Sequence, residues 1–283
     1  MKKLPIGIQT FRDIIEGNYY YVDKTQFILK LAKGKYYFLS RPRRFGKSLF
    51  LDTVKEAFSG NKELFKGLYI YDKWDWNKKH PIIKISFAIG TNNNSEKLRS
   101  TISFNLKNAA YDYKINLEEE ELNLKFYELI RKLYEKYNEK VVILIDEYDK
   151  PILDAIENIE YAKENREILK DFYSVLKDAD PYIKLAFLTG VSRFSKVSIF
   201  SGLNQLNDIT LDPNFATICG YTQRDLETVF ADRIVDFDKE EIRRWYNGYS
   251  WLGEKVYNPF DILLLFAEKQ FVHIGLKQEH LRF

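Results

Sequence analysis

The stretch Tyr36-Tyr37-Phe38-Leu39-Ser40-Arg41-Pro42-Arg43-Arg44-Phe45-Gly46-Lys47-Ser48 decides the fold. An apolar strand runs into a basic turn, and Gly46-Lys47-Ser48 then opens an apolar helix through Leu49, Phe50, Val54 and Phe58. A loop in this context suits phosphate, because the free backbone N–H groups of a helix N-terminus attract anions. In that reading Gly46 lets the backbone approach the phosphates, Lys47 reaches their β/γ oxygens, and the Ser48 hydroxyl binds Mg²⁺. Arg43, Arg44, Phe45 and Leu49 complete the candidate cradle. The general motif has glycine five residues before Gly46, where this chain carries Arg41. From these residues alone, a helix N-terminus with basic residues on a solvated face is the competing reading.

A second element lies downstream at Lys140-Val141-Val142-Ile143-Leu144-Ile145-Asp146-Glu147-Tyr148-Asp149. Five apolar residues ending in two adjacent acids read as a buried strand that delivers Asp146 and Glu147 at its carboxyl end, the Walker B arrangement. Ligands of open α/β sheets lie at that edge, so Asp146 would hold the Mg²⁺ shell and Glu147 would orient or deprotonate the attacking water. An ordinary acidic loop after a strand is the alternative. The two elements occur in the expected order, with helices between them, and together favour nucleotide binding.

Further apolar runs at 82–87 and 185–189 read as strands, and Leu122, Phe126, Leu129, Ile130, Leu133 and Tyr137 recur at helical spacing between strands. A second periodic set, Ile168, Phe172, Val175 and Leu176, precedes Pro181. Alternating strands and helices predict an α/β fold with a mostly parallel sheet flanked by helices. After Asp212-Pro213 the pattern changes to helical candidates at 222–234, 240–246 and 261–269, separated by Gly248, Gly253 and Pro259. The expected organisation is a nucleotide-binding core over 1–211, a small mainly helical, winged-helix-like domain over 212–272, and an irregular tail over 273–283.

The run at 185–189 ends in Thr189-Gly190-Val191-Ser192-Arg193. There a polar side chain would sense the γ-phosphate and Arg193 would offset charge developing in transfer, or Arg193 is an ordinary surface or interdomain arginine. The segment from Lys35 to Lys47 holds five cations and no acid, which suits triphosphate, nucleic acid or an acidic partner. Tyr19-Tyr20-Tyr21 and Trp74-Asp75-Trp76 stack on bases or pack in turns.

Composition bounds the partners. The 283 residues are 45% hydrophobic, enough for a sizeable core, so a disordered chain is excluded. Lysine and arginine number 44 against 41 acids, too even a balance to imply a nucleic-acid or membrane partner without a local patch. No stretch approaches the roughly 20 apolar residues of a membrane span. The single Cys219 excludes an intrachain disulfide, and His80, His273 and His280 form no metal-ligand spacing, which is consistent with a reducing cytoplasm. No oligomeric state follows from the sequence.

With these residues in place, the chain resembles the bacterial AAA-ATPase-like family from Leu4 to about Gln270. The resemblance rests on Leu4-Pro5-Ile6-Gly7, Tyr21-Val22-Asp23-Lys24-Thr25, the loop Arg41–Ser48, and Leu144-Ile145-Asp146-Glu147-Tyr148-Asp149. It continues through Thr189-Gly190-Val191-Ser192-Arg193-Phe194, Ser201-Gly202-Leu203-Asn204, Trp245-Tyr246-Asn247-Gly248-Tyr249 and Val256-Tyr257-Asn258-Pro259-Phe260. It accounts for Arg41, because the family's own loop reads Arg-Pro-Arg-Arg-Phe-Gly-Lys-Ser. It implies a P-loop NTPase fold in which the 185–189 strand lies between the loop strand and the 141–145 strand.

The resemblance also implies ATP, rather than GTP, with Mg²⁺, and ATPase activity is the leading expectation. Members often carry a C-terminal nuclease-like domain of the PD-(D/E)XK type, so regulating or powering such a partner is the implied role. No nuclease core is found in the sequence, so the expectation is a chain without that domain and without nuclease activity of its own. A nucleotide-responsive binding module with little turnover, and a nucleic-acid-binding regulator using Arg43 and Arg44, are the alternatives. Similar proteins continue with Tyr-Trp-Phe-Glu-Thr-Gly-Thr-Pro where this chain reads His273-Ile274-Gly275-Leu276-Lys277-Gln278-Glu279-His280-Leu281-Arg282-Phe283. One back-translation of this tail, read two nucleotides later, restores the family-like sequence, so a frameshift near codon 272 is expected. The nucleotide sequence at that codon decides it.

Overall fold

A computed structural model describes residues 1–192, 199, 200, 203 and 205–271. Arg193 and the 273–283 tail, both singled out above, lie outside the described residues.

Five strands form one parallel sheet: β1 (Tyr36–Ser40), β2 (Ile82–Ser86), β3 (Val141–Asp146), β4 (Ile183–Gly190) and β5 (Asn207–Asp208). Their order across the sheet is β2-β3-β4-β1-β5, which places β4 between β1 and β3 as the family resemblance implied. The fold is an α/β layer structure of the P-loop NTPase-like type. β5 was not foreseen, because it is two polar residues long and pairs with one edge of β1 through Tyr37 and Phe38.

Strand alternation sorts the core into two layers. Tyr36, Phe38, Ile83, Ile85, Val141, Ile143, Ile145, Ala186 and Leu188 face one cluster. There they meet helices α4 (Ser95–Asp112), α5 (Leu122–Tyr137), the short α6 (Lys150–Leu153) and α7 (Ile159–Asp178). Phe126 of α5 stacks on Phe172 of α7 at 4.6 Å, joining the two periodic stripes read from the sequence. Tyr37, Leu39, Ile82, Val142, Leu144, Leu185 and Phe187 face the other cluster, with α1 (Phe11–Glu16), α2 (Gln26–Leu31) and α3 (Lys47–Phe58). Burial on both faces explains why these strands are near-continuous apolar runs.

Among the described residues after 212, the α-helices are α8 (Gln223–Val229), α9 (Ala231–Ile234), α10 (Lys239–Tyr246) and α11 (Pro259–Glu268). The 222–234 candidate is thus two short helices that meet at Phe230, the first opened by a capping box between Thr222 and Asp225. Pro259, read as a separator, opens α11 at a position where a missing N–H costs nothing, with Asn258 capping it. These helices share a third core with Tyr20 and Val22 from the N-terminal segment. No helix among the described residues is long and apolar enough to cross a membrane.

Candidate active site

The parallel register brings the strand ends together. Ser40 pairs with Gly190, Ile145 with Leu188, and Ser86 with Asp146, so β1 to β4 finish at one edge. A cavity of about 450 Å³ opens above it. Residues 43–50 and Glu147 line one side, while Ile8, Tyr21, Tyr221, Phe260 and Leu263 form an apolar flank.

Gly46 caps α3 with a φ of 88°, in the left-handed region that glycine adopts freely. A Cβ there would meet nothing within 4 Å, so backbone conformation, not crowding, demands glycine. Lys47 begins α3, and its Nζ donates to the carbonyls of Arg41 and Pro42, each at 2.9 Å. Burial pushes the Lys47 pKa down, while the nearby Asp146, Asp149 and Glu147 oppose that shift. The two sequence elements therefore lie within electrostatic reach of each other. Ser48 and Leu49 follow in the first turn and line the cavity.

Asp146 is buried at the end of β3, where its Oδ1 accepts from Thr189 Oγ1 at 2.7 Å and from the Glu147 N–H at 3.1 Å. Thr189, one of the polar residues at the end of the 185–189 run, orients this carboxylate. Glu147 has a φ of 55° and lines the cavity, and burial together with the Asp146 charge raises its pKa. Its backbone turn re-aims the chain, and of the two acids only Glu147 lines the cavity.

The next two residues clamp the end of β4. Tyr148 donates to the Ser192 carbonyl at 2.7 Å, and Asp149 Oδ2 accepts from the Val191 and Ser192 N–H groups at 3.0 and 2.5 Å. Burial raises the Asp149 pKa. Neither clamp was assigned from the sequence, although Gly190 is the signal of close backbone approach. A Cβ on Gly190 would lie 2.4 Å from Tyr148 Cε1 and 2.6 Å from Asp149 Oδ1. Gly190→Ala is therefore expected to cost about 1–3 kcal/mol of stability, read from the urea midpoint. An unchanged midpoint would contradict the clamp.

The five cations from Lys35 to Lys47 do not form one patch. Lys35 pairs with Asp180 at 2.8 Å, and Lys47 and Arg41 are buried. Arg43 and Arg44 are exposed and line the cavity, with Arg44 lying 4.0 Å over the Phe260 ring. Phe45 is buried against Tyr249 and Trp251, so its side chain anchors the loop. Trp74 and Trp76 are committed to packing on Phe58 and Phe65, with their indole N–H groups bonded to Ala57 and Tyr71 carbonyls.

A family model described as "Predicted AAA-ATPase" matches residues 5–200. A protein of Azotobacter chroococcum mcd 1, described as an uncharacterized protein in the vnfD 5' region, is 53% identical over 272 residues. That match takes in 95% of this chain and 53% of the relative, so the chain spans about half of the relative's length.

Proposed function

The chain belongs to the predicted AAA-ATPase family, and on that premise we propose that it is a cytoplasmic protein that binds ATP and hydrolyses it with Mg²⁺ at the 450 Å³ cavity. The observation that carries this reading is that Lys47, from the start of α3, and Glu147, which follows the end of β3, line one cavity, with Asp146 within electrostatic reach of Lys47. The cradle formed by the left-handed Gly46 and the first turn of α3 fits a triphosphate. The donor set fits Mg²⁺: among the described residues Asp146 is engaged through Oδ1 alone, leaving its second oxygen for a cation, and the Ser48 hydroxyl is the other hard ligand.

Bound Mg²⁺ supplies charge neutralisation across the phosphate oxygens. Lys47 would exchange the carbonyls of Arg41 and Pro42 for phosphate oxygens, replacing neutral acceptors with charged ones. Thr189 holds the Asp146 carboxylate in one rotamer. Glu147 orients the attacking water and accepts its proton, a task suited to a carboxylate whose basicity burial has raised. The Tyr148 and Asp149 clamps fix the chain leading to Arg193, which we assign to charge stabilisation.

Hydrolysis would regulate or power a nuclease-like partner, a role supported by the domain association of the family. The test is phosphate release from ATP with Mg²⁺ and with chelator, alone and with the part of the relative that this chain does not match added. Mg²⁺-dependent release supports the ATPase reading; its absence in both settings contradicts it. Nuclease action by that part that ignores Mg·ATP would contradict the coupling.

A further inference from the structure

Arg41 occupies the position where phosphate-binding loops ordinarily carry glycine, yet it does not line the cavity. Its side chain is 1% exposed. Nη1 donates to the Ser40 and Thr210 carbonyls at 2.9 Å, and Nη2 to the Phe215 carbonyl at 3.2 Å. Nε has no hydrogen-bond partner among the described residues. A buried guanidinium held by carbonyls alone is poorly compensated, because desolvation of a full charge is expensive.

Asp208 lies within electrostatic reach, and an aromatic ring covers the guanidinium. The Trp251 ring lies 4.1 Å from the Arg41 Cζ, and indole is the best aromatic face for a desolvated cation. Trp251 in turn stacks on Tyr249, with centroids 6.0 Å apart and planes 10° from parallel. Phe45, at the far end of the loop, meets both rings edge-on at 4.7 and 5.3 Å. Its carbonyl accepts from the Gly220 N–H at 3.3 Å. Both ends of the loop therefore rest on one aromatic pair contributed from far along the chain. Between those ends lie the Arg41 and Pro42 carbonyls that hold Lys47.

We propose that Trp251 is a positioning residue for the phosphate-binding loop: through Arg41 and Phe45 it sets the loop conformation, and hence nucleotide affinity, without touching the nucleotide. The proposal rests on the nucleotide reading of the cavity. It makes the C-terminal segment part of the binding site, and it gives a reason for arginine at a position where glycine is usual. Loop movement on binding would also change the surroundings of the Trp251 indole.

Calorimetric titration with Mg·ATP tests it in the wild type, Trp251→Leu, Trp251→Phe, Arg41→Met and the Arg41→Met/Trp251→Leu double variant, each checked by circular dichroism. Trp251→Leu is expected to bind about tenfold more weakly, and Trp251→Phe, which keeps an aromatic face, within about threefold of the wild type. The double variant should lose less affinity than the two single losses combined, since part of the Trp251 effect passes through Arg41. Tryptophan emission should change with Mg·ATP in the wild type and lose that change in Trp251→Phe. A folded Trp251→Leu that binds as tightly as the wild type overturns the positioning role alone. Wild-type protein that does not bind Mg·ATP overturns the nucleotide reading and this proposal together. If Trp251→Leu does not fold, an undiminished emission change in Trp251→Phe overturns the proposal.

Discussion

Lys47→Ala is expected to weaken Mg·ATP binding by roughly a hundredfold or more, measured as a dissociation constant by calorimetry. Hydrogen bonds to charged groups contribute about 1.5–3 kcal/mol each, and a lysine bridging two phosphate oxygens forfeits two of them when truncated. The Lys47 ammonium is already desolvated, so its attraction to a polyanion is stronger than that of a surface lysine. Truncation also removes the donor shared by the Arg41 and Pro42 carbonyls. Some loss of stability without nucleotide is therefore expected, and it is separable from the binding defect by comparing midpoints without ligand. A dissociation constant within about threefold of the wild type would remove Lys47 from the site.

Glu147→Gln should behave in the opposite way, binding Mg·ATP normally while losing about 10²–10⁴ in turnover. The amide matches the carboxylate in size but cannot accept the proton of the attacking water. It also removes the repulsion with Asp146 that helps raise the Glu147 pKa, so ground-state binding has no electrostatic reason to weaken. Single-turnover phosphate release, run beside calorimetric binding, separates the two effects. Equal and negligible release in both proteins would assign the site to nucleotide-dependent switching without hydrolysis. Fast release by the variant would show that another group activates the water.

Much of the fold was legible because the central strands are buried on both faces. Val141 to Ile145 has no competing reading once a sheet needs an apolar strand, and the stripe of α5 follows from its periodicity. β5 was hidden because Asn207 and Asp208 are polar and gain their strand character only by pairing with β1. Pro259 misled for a local reason: proline both ends helices and opens them, and only the Asn258 cap distinguishes the cases.

The candidate site divides along the same line. Gly46-Lys47-Ser48 and Asp146-Glu147 are short-range patterns whose spacing carries meaning. The Thr189–Asp146 bond and the contact of Arg41 with Trp251 are pairings across long stretches of chain, for which one sequence contains no signal. Arg41 read from sequence was a departure in a motif; in the fold it is a buried strut under the loop.

The central claim, a nucleoside-triphosphate site at the cavity above the sheet, is tested most directly by the thermal midpoint of the wild-type chain with and without Mg·ATP. At ligand about one hundred times its dissociation constant, linkage predicts stabilisation of roughly 2.7 kcal/mol. The account predicts a rise in midpoint that requires Mg²⁺ and disappears in Lys47→Ala. No rise at millimolar Mg·ATP, or an equal rise in Lys47→Ala, would contradict it.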